Sequence, residues 1–532
     1  MRSNIYFKTW INKYPGLTRI CLILILFAGM AQFASFGLIQ AHVISFYGAQ
    51  SEDISFAFQI SYAGIISFLP IQFRTQRYFN TRNYLIIAFL IGIFLNLGCM
   101  ATQNLVLFSF LRFFMGAVTC TISACVLIIL FSTLPIEKAT LIGVSIFFSL
   151  VLTCGIIVGI GASWIVVRWD WTVFYYALIG LQIVAMVICI LLFKLKIDRK
   201  PLPLYQIDWI GGLLFAFGVV TAVYIFIYGP KRYWWSDQTV RYASFFSISA
   251  LSLYFYRKTT IRHPLIDMNV FKYPKFIFAI GLMLVFWCVK DSINLIYGYA
   301  ASVLGWDAVD VVQSGLFNIL GVILATLIAI RSILRKRENL PKILLVGFSL
   351  MCFYHLWFYF HVTPALSFNE LCLPIFVQGL ACGFLFVPIT IFCSASVPKS
   401  TGMTAIIICA YTRFCSTLIS MSGLYTLQLY YTQNYKYQFL GKLTIDNETL
   451  AQRQSLYQNL LSSKGLGKSE AIGISNMLLS KSSAMQSQLL AVRSIFMIGA
   501  IVASATIIIL CCFAVIIKLK KPEKNKLKSR AQ

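Results

Sequence analysis

The sequence predicts an all-α polytopic membrane protein with fourteen transmembrane helices in a 6+2+6 order. The 532 residues are 59% hydrophobic and only 11% charged, and their mean hydropathy is +0.81, a composition foreign to soluble globular proteins. The apolar runs are long enough for helices to cross a hydrocarbon core about 30 Å thick and far too long for barrel strands. Helices also satisfy their own backbone groups, as lipid requires.

Apolar windows of spanning length give the helix positions. They lie near residues 20–42, 55–73, 83–101, 105–130, 140–166, 172–193, 208–228, 241–256, 276–301, 311–330, 342–360, 371–393, 403–429 and 494–517. The first run is too long for the core of a signal peptide, and we expect it to remain as a span.

Two basic, proline-containing connectors, 194–208 and 257–275, divide the chain. We predict the following organisation: an N-terminal six-helix bundle at 1–200, two inserted helices at 201–260, a C-terminal six-helix bundle at 261–517 with a long external loop at 430–493, and a disordered, basic cytoplasmic tail at 518–532. Within the loop, runs 451–461 and 484–492 predict short amphipathic helices. Duplicated bundles are typical of transporters, whose substrate sites form between the halves.

The net charge of +27 reflects membrane topology rather than nucleic-acid binding. With the N-terminus in the cytoplasm, 30 of the 44 Lys and Arg residues lie on the cytoplasmic side, 11 lie outside and 3 lie within spans. This asymmetry predicts that both termini are cytoplasmic. The basic connectors would then face anionic lipid headgroups, and we expect no nucleic-acid partner.

Enzyme signatures are absent from the sequence. It contains no phosphate-binding loop of the Walker type, no G-x-S-x-G elbow and no His and Cys cluster with metal-ligand spacing. The fifteen cysteines lack paired spacing, and most fall inside spans, where we interpret them as packing residues. We therefore expect no enzymatic activity, no cofactor and no metal.

The ninth predicted span, 276–301, carries Lys290 and Asp291 at its centre. In a continuous helix Asp291 would lie about 22 Å from Phe276, deep in the hydrocarbon core. Adjacent helical residues point about 100° apart, so we expect each charge to need a partner on a different neighbouring helix. Charges at this depth favour a transport pathway, and the alternative is a fixed ion-pair network that locks helices together.

Two further cations fall within spans, Arg112 in the fourth and Arg413 in the thirteenth. Each could hold a backbone carbonyl, snorkel or pair with Asp291, which is the only carboxylate inside the predicted spans apart from their first residues. A carboxylate that is protonated in one state and paired with a cation in another would couple proton uptake to helix movement. A permanent salt bridge is the alternative. His355, in the middle of the eleventh span, is a second candidate for proton coupling.

Several polar side chains and glycines complete the candidate site. Lys290, Asn294 and Tyr297 recur at helical steps of four and three residues and predict one polar stripe. Gln32 and Ser35 make one side of the first span polar, as in a cavity wall. Glycines of the fifth span, among them Gly155 and Gly159, predict close helix packing and, as a second possibility, a hinge.

Four motifs carry a resemblance to a known family. They are IDWIGGLLFAFG from Ile207, HPLIDMNVFKYPKF from His263, LPIFVQGLACGFLFVPIT from Leu373 and YTRF from Tyr411. Together with the inserted pair and the long loop before the last span, the chain resembles the fourteen-span drug:proton antiporters of the major facilitator superfamily, of the EmrB and QacA type.

The resemblance implies roles for individual residues. Arg112 and Gly116 match a fourth-span motif implicated in proton coupling, and Arg413 matches an arginine of the thirteenth span. Arg77 and Arg82 match basic positions of a loop that gates conformational change. The resemblance also implies a bacterial cytoplasmic (inner) membrane and hydrophobic substrates.

The chain departs from the family pattern at three places. The gating loop reads QFRTQRYFNTR without the usual glycines and acid, the fifth span reads TCGIIVGIGAS without the usual proline, and Ser35 stands near the place of a first-span aspartate. Coupling would then depend on Asp291 or on a histidine.

These features predict a secondary active exporter that works by alternating access, with proton coupling. Because the spans hold three cations and one carboxylate, we expect neutral or anionic substrates rather than dicationic drugs. Two alternatives remain open, an exporter of one metabolite or siderophore and a membrane sensor or scaffold that no longer transports. A periplasmic adaptor on the external loop is a further candidate partner.

Overall fold

A computed structural model describes residues 6–34, 39–195, 207–260, 268–398, 401–444 and 446–530. Within these ranges the chain forms seventeen α-helices and no named β-strand. The helices are α1 (Pro15–Ala34), α2 (Gln40–Tyr47), α3 (Ser51–Tyr78), α4 (Thr81–Ala101), α5 (Leu105–Ser132), α6 (Ile136–Arg168), α7 (Phe174–Leu192), α8 (Trp209–Tyr228), α9 (Gln238–Thr260), α10 (Pro274–Lys290), α11 (Ile293–Ser302), α12 (Ala308–Arg335), α13 (Leu340–His361), α14 (Phe368–Ala395), α15 (Gly402–Leu440), α16 (Glu448–Ser463) and α17 (Lys468–Arg530).

Many helices begin at residues that satisfy the first free N–H groups. Asn104 accepts from the amides of Val106 and Leu107 at the start of α5, and Asp208 accepts from Gly211 at the start of α8. Capping boxes begin α3 and α14, the second formed by Ser367 and Glu370. Polar capping residues between apolar runs therefore set these helix starts.

Among the described residues, thirteen helices are long and apolar enough to cross a membrane, with α10 and α11 counted together as one span, Pro274–Ser302. The eighth predicted span corresponds to α9, which forms but is not among the thirteen. Its serines, its tyrosines and Arg241 lower its hydropathy. The helical membrane architecture is confirmed, whereas fourteen spans in a 6+2+6 order stay a prediction.

The first predicted span is not one helix, and this expectation is wrong. Helix α1 ends at Ala34, and the separate helix α2 begins at Gln40. The carbonyls of Gln32 and Phe33, near the end of α1, accept hydrogen bonds from Arg112 of α5. Arg112 thus bonds backbone carbonyls in the last described turn of α1. Ser35 lies outside the described residues.

Four apolar clusters lie among the described residues, and the three largest organise the packing. One contains side chains of α1–α7, which we call the N-terminal half. A second contains side chains of α10–α15 and α17, and we call α10–α17 the C-terminal half. The third joins α3 and α15 to helices α8 and α9, which we call the inserted pair. The inserted pair thus lies against the line where α3 of one half meets α15 of the other.

The long loop before the last span is helical. Helix α16 confirms the first predicted amphipathic helix, whereas residues 484–492 belong to the continuous helix α17. Helix α17 continues to Arg530, so the expectation of a disordered tail is wrong over the described part of it. Lysine and glutamate favour helix, and extension of an existing helix needs no new nucleus.

Candidate functional site

The ninth predicted span breaks at its two charged residues. Helix α10 ends at Lys290, Asp291 and Ser292 form a turn, and α11 begins at Ile293. The amide of Asn294 donates to the carbonyl of Asp291, three residues back, at 3.0 Å instead of to Lys290. The amide of Ser292 likewise donates to Val289 at 3.4 Å. The break therefore frees backbone carbonyls in the middle of a span.

Side chains from two neighbouring helices donate hydrogen bonds to the freed carbonyls. Gln378 Nε2 of α14 donates to the carbonyl of Lys290 at 3.3 Å, and Ser420 Oγ of α15 donates to the carbonyl of Cys288 at 3.1 Å. Asn318 of α12 donates in turn to the side-chain oxygen of Gln378. Irregular backbone at membrane depth is tolerated only where protein or water satisfies it, and here α12, α14 and α15 do so.

Lys290 and Asp291 bond to each other, which corrects the expectation that each would need a separate partner. Lys290 Nζ lies 2.8 Å from Asp291 Oδ1. The helix has already ended at Lys290, so the 100° separation of a regular helix does not apply, and the flexible lysine side chain reaches its neighbour. Asp291 Oδ2 is buried and has no hydrogen-bond partner among the described residues.

Arg413 of α15 lies against aromatic rings rather than a carboxylate. Its guanidinium carbon is 4.7 Å from the ring centre of Trp287, 5.2 Å from that of Tyr62 and 5.9 Å from that of Phe386. Lys290 Nζ lies 4.4 Å from the same Trp287 ring. The cations are stabilised by the electron-rich ring faces. Because Tyr62 belongs to α3, the cluster contains side chains of both halves.

We call Lys290, Asp291, Arg413, Trp287 and Tyr62 the central charged cluster. It holds two cations and one carboxylate. Within the part of the chain that the structure describes, Arg413 forms no ion pair, and its Nε has no hydrogen-bond partner. The cluster is therefore net positive and retains unused hydrogen-bonding groups on both a cation and an anion.

The predicted polar stripe is divided by the helix break. Lys290 lies on α10, whereas Asn294 and Tyr297 lie on α11, where Asn294 is exposed and Tyr297 is partly buried. The Tyr297 hydroxyl is buried, and no hydrogen bond to it is present in the described ranges. A Cβ on Gly315 of α12 would lie 3.4 Å from this hydroxyl and 2.9 Å from Ile156 of α6. Tyr297 thus lies where α6 of the N-terminal half meets α12.

His355 of α13 lies beside the helix break and is buried. Its Nδ1 is 2.8 Å from the carbonyl of Met351, and its Nε2 is 3.1 Å from Ser292 Oγ. A carbonyl can only accept, so Nδ1 carries the proton and the Ser292 hydroxyl donates to Nε2. A Cβ on Gly499 would lie 2.2 Å from the imidazole ring, so glycine is required there. His355 is thus hydrogen-bonded to Ser292, the residue that follows Asp291 in the chain.

Arg112 lies apart from this cluster, at the core of the N-terminal half. It is fully buried, and its Nη1 and Nη2 lie 2.7 Å from the carbonyl of Gln32 and 3.1 Å from that of Phe33. Of the alternatives considered from sequence, the backbone-carbonyl contact is the one observed. A positive charge at the C-terminal end of α1 also complements the helix dipole.

Gln32 belongs to the same buried network. Its side chain donates to Thr119 at 3.0 Å and accepts from Gln182 at 2.8 Å, and Asn96 donates to Gln182 at 3.2 Å. These amides and Thr119 come from α1, α4, α5 and α7 and are almost completely buried. In this conformation Gln32 therefore lies inside the N-terminal half, and a role in a cavity wall stays a prediction.

The residues predicted to control gating lie at helix contacts and helix ends. A Cβ on Gly116 would lie 1.8 Å from the carbonyl oxygen of Ser61, so this glycine permits the close packing of α5 on α3. Gly155 has open space around it, and Gly159 is buried in the same helix α6. Arg77 is exposed in the last turn of α3, and Arg82 is partly buried at the start of α4.

Sequence reasoning missed one buried carboxylate, Glu52. It lies in the first turn of α3, is 4% exposed and contacts Lys231 and Tyr425. The second span was predicted to begin at residue 55, which left Glu52 in a loop. Acids in a first helical turn are common because of the helix dipole. The burial of Glu52 depends on Lys231 and Tyr425, which are distant in the chain, so the sequence did not indicate it.

The fold and the site together define a class of protein. Two helical halves meet at buried charges, beside a helix that breaks at membrane depth. This combination is typical of secondary transporters, whose discontinuous helices form substrate and ion sites between repeated halves.

The chain belongs to the Major Facilitator Superfamily, because the model of that family matches residues 21–423. Membership of this superfamily makes it an integral membrane transporter. No enzyme is among the reported relatives and structural neighbours, which are all transporters.

Two curated relatives match part of the chain. The "Multidrug export protein EmrB" of Escherichia coli (strain K12) is 24% identical over 268 residues, which cover 48% of this chain and 49% of that protein. The "Uncharacterized MFS-type transporter EfpA" of Mycobacterium tuberculosis (strain CDC 1551 / Oshkosh) is 24% identical over 258 residues, which cover 47% of this chain and 46% of that protein. The chain thus spans about half the length of the curated relatives it matches.

Solved transporter structures share the fold. The POT family transporter PepTSo is 13% identical, with a TM-score of 0.54, over 94% of this chain and 98% of that one. The nucleoside transporter NupG is 11% identical, with a TM-score of 0.51, over 92% of this chain and 99% of that one. At these identities the likeness concerns the fold alone.

Proposed function

We propose that this protein is a proton-coupled secondary active exporter that works by alternating access, with Asp291 as the residue that exchanges the proton. The observation that carries the proposal is the buried Asp291 at a helix break between the two halves. One of its oxygens is held by Lys290, and the other is buried without a hydrogen-bond donor from the described residues. A proton or a substrate group could therefore bind to the second oxygen without first breaking the ion pair.

The coupling step follows from the charges in the central charged cluster. Protonation of Asp291 removes the negative charge that balances Lys290 and leaves two adjacent cations, Lys290 and Arg413, both over the Trp287 ring. Their repulsion would favour separation of α10 from α15. Because Arg413 also lies against Tyr62 of α3, that separation would change the contact between the halves.

The same charges favour neutral or anionic hydrophobic substrates over dicationic drugs. The rings of Trp287, Tyr62 and Phe386 offer apolar area, and Arg413 has no carboxylate partner among the described residues. An anionic group would pair with Arg413, whereas a dication would add two charges to a site that is already net positive. The name of the EmrB relative, "Multidrug export protein", supports export as the direction of transport and drugs as the substrates.

We further propose that both termini lie in the cytoplasm and that the membrane is a bacterial inner membrane. The asymmetry of Lys and Arg residues between the loops supports this orientation. In this orientation the start of α3, the C-terminal end of α8 and the whole of α16 lie outside. The organisation into 1–200, 201–260, 261–517 and 518–532 also stays a proposal, as does an adaptor protein on α16 and α17.

The full chain in proteoliposomes tests the proposal. Proton movement is followed with a pH-sensitive dye while an outward gradient of an anionic, a neutral or a dicationic hydrophobic probe is imposed. We expect the anionic and neutral probes to move protons in the native protein and Asp291→Asn to abolish this movement. Asp310→Asn is the matched control, because Asp310 is an exposed carboxylate in the first turn of α12.

Each other outcome has a definite meaning. Equal proton movement in the native protein and Asp291→Asn would remove Asp291 from the mechanism. Movement driven only by the dicationic probe would overturn the substrate class. A single accepted compound would favour a specific metabolite or siderophore exporter, and no movement with any probe would favour a sensor or scaffold.

A further inference from the structure

A second buried carboxylate, Glu52, lies at the external end of the contact between α3 and α15. It is 4% exposed, and both of its oxygens have partners. Tyr425 of α15 donates to Oε1 at 2.9 Å, while Lys231 Nζ lies 3.2 Å from Oε2 and Ser51 donates to Oε2 at 3.3 Å. Three separate parts of the fold therefore meet at one carboxylate: the N-terminal half, the inserted pair and the C-terminal half.

The contact between α3 and α15 continues inward from Glu52. Gln59 donates to the sulfur of Met421, and Tyr62 packs edge-on against Phe414 with ring centres 5.1 Å apart. Tyr62 lies about 15 Å along α3 from Glu52. The same residue contacts Arg413, so the contact runs without interruption from Glu52 to the central charged cluster.

The inserted pair contributes more than lipid-facing surface to this contact. Lys231 follows α8 and also bonds Gln50 at 2.8 Å, and Tyr228 at the end of α8 donates to Asp53 at 2.6 Å. Phe215 of α8 packs on Tyr411 of α15. The inserted pair is therefore attached to both helices that would have to separate when the transporter opens outward.

We propose that Glu52, Lys231 and Tyr425 form an external latch that holds α3, α15 and the inserted pair together, and that protonation of Glu52 from outside releases it. The inference rests on the proposed function in one respect, namely that the external side opens during the cycle. A protonated Glu52 loses its attraction to Lys231 and becomes a poorer acceptor for Tyr425. The latch gives the inserted pair a part in the opening of the external side.

The charged and titratable groups around Glu52 are few. On α3 itself Asp53 is the neighbouring acid, and it is bonded to Tyr228. The segment after α8 contributes Lys231, and α15 contributes Tyr425. On α2, which packs against α3, His42 is exposed. Lys231 is thus the one cation within salt-bridge distance of Glu52 among the described groups.

The distance between the two halves at the external side tests the latch directly. Non-canonical amino acids at Ser45 and Tyr430 carry the spin labels, so that the fifteen cysteines are not labelled. The distance between the two labels is measured by pulsed electron paramagnetic resonance in nanodiscs at several pH values. Both positions are exposed, and they lie on α2 and at the external part of α15.

We expect Glu52→Gln, Lys231→Gln and Tyr425→Phe each to increase the ratio of open to closed distances, by roughly threefold to tenfold for the two charge variants. Acid should open the native protein and have much less effect on Glu52→Gln. The swap Glu52→Lys with Lys231→Glu should restore the closed distance if the variants remain folded. Thermal stability in detergent identifies variants that are merely unfolded.

Asp237→Asn is the matched control. Asp237 lies on the same external segment and pairs with Arg232 at 3.8 Å, and the other bonded partners of its carboxylate among the described residues are Thr239 and Val240 of α9. An equal opening by Asp237→Asn, or an unchanged distance in Glu52→Gln, would overturn the latch. The measurement needs no substrate, so it can fail while transport is observed, and it can succeed where no probe is transported.

Discussion

Each half of the molecule holds an arginine within its helices, and the surroundings of the two arginines differ. In the N-terminal half, Arg112 is fully buried and its two terminal nitrogens donate to backbone carbonyls at the end of α1. In the C-terminal half, Arg413 is only partly buried and rests on the rings of Trp287, Tyr62 and Phe386. One guanidinium completes a helix end, whereas the other remains able to pair with an anion.

The comparison shows that residue type and depth do not by themselves distinguish a structural charge from a functional one. Intramembrane cations are costly in both halves. What differs is the acceptor: backbone carbonyls bind Arg112 through directed hydrogen bonds, while ring faces stabilise Arg413 without using its N–H groups. A structural arginine should therefore matter for stability, and a functional one for transport.

The largest expected effect is the loss of stability in Arg112→Leu. The substitution removes the two hydrogen bonds that Arg112 donates to the carbonyls of Gln32 and Phe33, at a cost of about 3 kcal/mol, since each bond to a charged group contributes roughly 1.5 to 3 kcal/mol. Thermal unfolding of the purified full chain in detergent measures the change. Arg413→Leu is the comparison, and a greater destabilisation by Arg413→Leu would reverse the assignment.

The next effect concerns transport by Arg413→Leu. We expect roughly tenfold weaker transport of an anionic probe, since Arg413 is the only unpaired charge of the described cluster and a hydrogen bond to a charged group contributes about 1.5 to 3 kcal/mol. Transport of a neutral probe should change little. Arg413→Lys, which keeps the charge, should recover part of the anionic activity in the same vesicles. Equal losses for both probes would argue against an anion site.

A smaller effect is expected at the helix break. Gln378→Leu and Ser420→Ala each remove the donor to a freed carbonyl of α10, which should cost about 1 kcal/mol for each hydrogen bond within a membrane. Thermal unfolding again gives the measurement. Thr417→Val serves as the control, because the hydroxyl of Thr417 bonds within its own helix, to the carbonyl of Arg413 at 3.0 Å, and to no other described residue. An equal loss of stability in Thr417→Val would show that the hydrogen bonds from α14 and α15 do not specifically stabilise the helix break.

The smallest expected effect separates two neighbouring tyrosines of α11. The Tyr297 hydroxyl is buried without a hydrogen bond from the described residues, so Tyr297→Phe should leave stability unchanged or raise it by up to about 1 kcal/mol. Tyr299 donates to the carbonyl of Thr363, so Tyr299→Phe should lose about 1 kcal/mol. Weaker transport by Tyr297→Phe at unchanged stability would indicate that substrate uses this hydroxyl.

The helices were predictable from sequence because long apolar runs leave few other structures in lipid. The membrane class is confirmed by thirteen helices of spanning length in the part of the chain that the structure describes. Helix α9 is the exception, since its alternation of serines and aromatics lowers hydropathy although it packs on α8, where Ser247 donates to the carbonyl of Gly218 at 2.9 Å. Tertiary contacts of this kind have no counterpart in a hydropathy window.

The candidate site was predictable in its residues but not in its geometry. Lys290, Asp291 and Arg413 were recognisable as charges in apolar runs. The break after Lys290 was not, because the residues that support it, Gln378 and Ser420, are 88 and 132 positions away in the chain. A regular helix was assumed across the break, and that assumption produced the wrong expectation for the Lys290 and Asp291 pair.

Helix α15 also has a mechanical consequence. It is unbroken over 39 residues, or about 58 Å, and so extends well beyond a hydrocarbon core about 30 Å thick. Leu440 at its end lies about 40 Å along the axis from Arg413. If α15 pivots near Arg413, a tilt of about 10° moves its far end by about 7 Å. The end of α15 would therefore act as a lever, and in the proposed orientation an antibody fragment bound to it from outside would restrict movement at Arg413.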